Sequence, residues 1–171
     1  MRGLFGIFWP LLPIVAAVLA VVAARDTESI VALPALWIVL ALLAVGTLDA
    51  FAGLTAAVVY ALAILAGGGF NDADSLRGYV GFAGLMFLVG LVASAVRPYR
   101  RASVDDHYWK RTVDFTLITL FGAWTAGSIF KAIPHLSGYS SPSAVHVGAV
   151  EIVTILVLVG RYALENMARL A

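Results

Sequence analysis

The sequence predicts an all-α fold, a polytopic membrane bundle of six transmembrane helices. Three observations predict it. The 171 residues are 62% hydrophobic and 12% charged, where a soluble domain carries about 25% charge. Runs of about 20 apolar residues, the length that crosses a hydrocarbon core of about 30 Å, recur along the chain. The basic residues fall between these runs and mostly on one side of them. A single domain, 1–171, accommodates the length.

The first apolar run, Leu4 to Ala24, exceeds the roughly 7–15 residues of a signal-peptide core and is read as a transmembrane helix. Pro10 and Pro13 bend it, because each removes a helical hydrogen bond. The next run, 34–66, would be about 50 Å long as one helix at about 1.5 Å per residue, too long for the bilayer. Asp49 is a preferred N-cap, and Gly46 and Gly53 loosen the helix around it, so the run divides into helices at 34–48 and 50–66. The remaining runs are 78–97, 112–133 and 142–162. Ser141-Pro142 opens the last as N-cap and first helical residue.

With the N-terminus in the cytoplasm, Arg2, Arg97, Arg100, Arg101, Lys110, Arg111, Arg161 and Arg169 lie inside, against Arg25, Arg77 and Lys131 outside. That is the positive-inside bias. Five helices with the N-terminus outside exchange Arg2 for Arg25 and keep the same balance. Helix length and the Asp49 turn favour six, with both termini cytoplasmic. Trp37, Tyr79, Tyr99, Tyr108, Trp109 and Tyr162 fall near the expected interfaces, where amphipathic rings prefer to sit. The expected location is a bacterial cytoplasmic membrane; heavy use of Ala, Val, Leu, Gly and Arg with two lysines fits a GC-rich genome.

Composition excludes several classes of chemistry. The absence of cysteine rules out disulfides, thiolate metal sites and cysteine nucleophiles. The net charge of +1 and the scattered basic residues give no nucleic-acid footprint. No nucleotide-binding, zinc-protease, serine-hydrolase or calcium-loop motif occurs, and Gly67-Gly68-Gly69 reads as a loop breaker. No cofactor is expected.

Glu151 is the first candidate for a functional role. From Pro142 it lies about 14 Å along the last helix, near the membrane midplane, where an ionisable group is costly and faces protein or water. It is read as a binding group for a proton or cation, or as a structural lock through Thr125 or Ser128. Asp49 is the second intramembrane polar candidate, with the N-cap role as the structural alternative. Ala16, Ala20 and Ala24, and Gly78, Gly81 and Gly84, are expected to line helix-packing seams, since small residues let helices approach in lipid. Arg97, Arg100, Arg101, Trp109, Lys110 and Arg111 form a basic, aromatic cytoplasmic stretch suited to anionic headgroups or a partner. No metal site is expected. His135 and His146, with Asp72 and Asp74, are the residues that would supply one, at spacings that match no ligand pattern.

These features favour a small, non-catalytic integral subunit of a larger membrane complex, structural or transport-associated. Its expected partners are the lipid bilayer and other membrane subunits, or copies of itself. A solute or proton-coupled transport component using Glu151 is the alternative. An enzyme acting on lipid or quinone comes third, with the loop triplet Asp105, Asp106 and His107 as the best interfacial polar cluster available to it. In size, six spans and the alanine-spaced first helix, the chain resembles the substrate-binding components of energy-coupling-factor vitamin transporters. That resemblance implies a six-helix membrane fold that works beside partner subunits.

Overall fold

The computed structural model describes residues 2–26, 33–70, 72–95, 108–136 and 142–170. These form six helices: α1 (Arg2–Asp26), α2 (Leu36–Leu48), α3 (Ala50–Ala66), α4 (Ala73–Ala95), α5 (Tyr108–Leu136) and α6 (Ala144–Leu170). Three segments are long and apolar enough to cross a membrane: Ala73–Ser94, Phe115–Pro134 and Ala144–Leu164. The apolar helices α2 and α3 are shorter.

The expected break in the 34–66 run is present at Asp49. Its backbone is extended, with φ −141° and ψ 114°, and its carboxylate accepts hydrogen bonds from the amides of Phe51 and Ala52, both at 3.3 Å. The first turn of a helix has amides with no intrahelical acceptor, and an aspartate side chain supplies one.

α2 is the centre of the bundle and packs against α1, α3, α4 and α6. Its sequence, LWIVLALLAVGTL, has no polar face, and even the residue it leaves most exposed, Trp37, is apolar. Ile38, Val39, Leu42 and Leu43 are fully buried there. α2, α4, α5 and α6 form a closed ring of neighbours, while α1 and α3 pack on each other and onto α2. Ala16, Ala20 and Ala23 of α1 are fully buried, and Ala24 is half-buried against the same core.

The tightest helix contact lies between the α2–α3 turn and α4. A β-carbon at Gly46 or Gly53 would collide with the Met86 carbonyl, and one at Gly90 would collide with the Gly46 carbonyl. Glycine is required at all three positions because main chain, rather than a movable side chain, fills the space. On the same helix, Gly78 and Gly84 are buried and Gly81 is half-buried. A β-carbon at Gly84 would meet only the Leu88 side chain of its own helix, at 3.3 Å. At the opposite end of α3 and α4, Tyr60 stacks on Tyr79 and meets Phe82 edge-on, and the Tyr79 hydroxyl donates to the Ala57 carbonyl at 3.2 Å.

Several boundaries differ from expectation by a few residues, three of them at caps or prolines. α4 starts at Ala73 rather than 78, because Asp72 and Ser75 cap it: the Ser75 amide donates to the Asp72 carboxylate at 2.7 Å, and the Asp72 amide donates to the Ser75 hydroxyl at 3.3 Å. α5 runs through Pro134 to Leu136, the proline standing in its last turn. α6 is capped by Ser143, whose hydroxyl and carbonyl accept from the His146 amide, so the helix begins two residues after Pro142.

Candidate functional site

The polar groups that the fold brings together lie where α2 ends, beside α4 and α6. Arg161 of α6 is 6% exposed. Its guanidinium donates to the Thr47 carbonyl at 2.8 Å and to the Ser94 hydroxyl at 3.0 Å. The last turn of a helix has carbonyls with no intrahelical donor and carries the negative end of the helix dipole, so a buried cation is well matched there. Ser94 in turn donates to the Gly90 carbonyl at 2.8 Å. Arg161 therefore bridges three helices that are far apart in sequence. From sequence it counted only toward the topological charge balance. The signal that points to it is its position inside the predicted 142–162 span, since a charged residue within a span faces protein.

Glu151 occupies a different place. It lies on the flank of α6 next to α5, half-buried, between the fully buried Val150 and the exposed Ile152. Gly127 of α5 stands across from it, and a β-carbon there would collide with the carboxyl group. The glycine thus makes the notch in which the side chain rests. Neither expected partner holds it: the Thr125 hydroxyl donates to the Phe121 carbonyl at 2.7 Å, and Ser128 is exposed. Among the described residues no hydrogen bond or ion pair reaches Glu151. Asp49 is separate again, and its carboxylate is engaged in capping α3.

The basic stretch is only partly visible. Arg97, Arg100 and Arg101 lie outside the described residues, as do Asp105, Asp106 and His107. Trp109, Lys110 and Arg111 belong to the first turn of α5. At the other end, His135 sits in the last turn of α5, and His146 is exposed in the first turn of α6. Asp72 caps α4, and Asp74 pairs with Arg77 at 3.0 Å. Among the described residues no group of three His, Asp or Glu side chains is placed to hold a metal ion.

Fold and site together define a protein whose described residues are all-helical, with three segments long and apolar enough to cross a membrane and buried polar contacts that tie helix ends to one another. No family model, curated protein or solved structure matches the chain.

Proposed function

We propose that the chain is a small, non-catalytic integral subunit of a larger membrane complex. In this reading it crosses a bacterial cytoplasmic membrane six times with both termini inside, and it contacts a neighbouring membrane chain through the α5–α6 seam. Glu151 carries the reading. A carboxyl group at membrane depth calls for a partner of opposite charge or a hydrogen-bonding one. Within the chain Asp49 and Arg161 are engaged in holding helix ends, whereas Glu151 sits at the rim of a seam flanked by the exposed Trp124, Ile152 and Leu156. A neighbouring subunit would cover that rim. A transport role for Glu151 would call for further polar groups converging on it, and none bonds to it among the described residues.

The test is the mass of the particle extracted from its native membrane in a mild detergent. The expected result is more than one protein chain per particle, with Glu151→Gln shifting the population toward the single chain. A wild-type protein recovered only as a single chain would sink the proposal. A complex untouched by Glu151→Gln would keep the subunit and move its contact away from the seam.

A further inference from the structure

The outer surface of the α5–α6 pair carries polar groups of two kinds. On α5, Trp124, Ser128 and Lys131 follow one another at i, i+4 and i+7, the spacing of a single helix face, and all three are exposed. They lie inside Phe115–Pro134, one of the segments able to cross a membrane. Each offers a donor: an indole N–H, a hydroxyl and an ammonium. Thr116 and Thr125 of the same helix donate to the carbonyls four residues back, at 2.8 and 2.7 Å, as hydroxyls within helices ordinarily do. Ser128 does not, and among the described residues no hydrogen bond or ion pair reaches Trp124, Ser128 or Lys131. On α6, inside Ala144–Leu164, the Glu151 carboxyl supplies acceptors that are equally unmet.

Gly127 puts these groups at one level. The Glu151 carboxyl rests against it, and Ser128 is the next residue along α5. Trp124 and Lys131 flank Gly127 at i−3 and i+4, within about 6 Å of its level at about 1.5 Å per residue. The surface thus presents one cation and one anion within a helical turn of each other.

We infer that a second copy of the chain covers this surface, related by a two-fold axis along the membrane normal, with Lys131 of each copy paired to Glu151 of the other. This names the partner for the subunit reading above and rests on it. A two-fold axis brings residue i of one copy to residue j of the other and j to i. It also leaves every residue at its own depth, so groups that meet across it must share a level. A surface bearing both signs at one level satisfies itself under that operation. The flexible four-carbon stem of lysine spans the remaining turn. Polar groups are costly against lipid tails, and bonding between helices relieves that cost. Phe121, Ile152 and Leu156, all exposed, supply apolar contact around the pairs.

The experiment measures the mass of the full chain, expressed alone and extracted in mild detergent. Wild type should give a two-chain particle. Lys131→Glu and Glu151→Lys, each expressed alone, should give single chains, because each brings like charges together. Co-expressed with different tags, the two variants should recover a mixed two-chain particle, since opposite charges then meet at both contacts. Lys131→Met, which keeps the stem and drops the charge, should fold and shift the population toward the single chain. A wild type that is a single chain alone but part of a larger particle in its native membrane would overturn the inference and leave the subunit reading standing. A single chain in both settings would end both. Charge variants that stay paired when expressed alone would overturn the inference, as would a Lys131→Met protein as fully paired as wild type. Charge variants that never form the mixed particle would overturn it too, by confining any pairing of Lys131 with Glu151 to one chain.

Discussion

Asp49 and Asp72 perform one task at two places, each lending a carboxylate to the first amides of a helix. At Asp72 this has a pH signature. The Ser75 amide, and then the Ser75 hydroxyl, hold its carboxyl below the usual aspartate value. Because the folded value is the lower one, the stabilisation is complete above the ordinary aspartate value of about 3.9 and disappears as pH falls through the folded value. Asp72→Ala should therefore lower the unfolding midpoint at neutral pH, and the gap to wild type should close in acid. Midpoints recorded from pH 7 down to pH 3 check this; a gap that stayed constant would show that the carboxylate charge contributes nothing. The group is exposed at the helix start, so the effect is small and shrinks with added salt. Asp49 was legible from sequence because two arguments converged on it, cap preference and a helix too long for the bilayer. Asp72 was not, because a reciprocal bond with Ser75 leaves no mark in the spacing of loop acids.

At the level of helices, what matters is which glycines meet main chain. The spacing of Gly78, Gly81 and Gly84 marks a small-residue face on α4. The closest backbone approach instead joins Gly46 and Gly53 to Met86, and Gly90 to Gly46. Periodicity locates a face along one helix but contains nothing about what the opposing helix presents, so this contact was illegible before the helices were placed together. Gly46→Ala and Gly90→Ala should each cost at least the roughly 1–3 kcal/mol usual for overpacking, since a carbonyl cannot rotate aside. Gly148→Ala is the control: nothing lies within 4 Å of the added methyl, and alanine is the better helix former. Denaturation of the three variants in one detergent compares them directly. Equal behaviour at Gly46 and Gly148 would mean that the α2–α4 approach is looser than it stands here.

For the whole molecule, the count and order of helices were readable from hydropathy and one capping residue. The contact of Arg161 with α2 and α4 was not. Arg161 reads in sequence as one more positive charge near a span end, and its partners Thr47 and Ser94 are 114 and 67 residues away. The six-span arrangement itself is tested by placing a small reporter or a labelling site at each chain end in intact cells. Both ends should report from the cytoplasmic face, and ends on opposite faces would reduce the spans to five.

The bond from Arg161 to Thr47 also bears on how the protein is made. α2 is among the early helices to leave the ribosome, yet the carbonyl at its end meets this donor only after α6 has been synthesised. Until then the end of α2 lacks the guanidinium that meets this carbonyl. Closure of the bundle is thus coupled to near-completion of the chain, and products that stop short of α6 lack the donor that holds the end of α2.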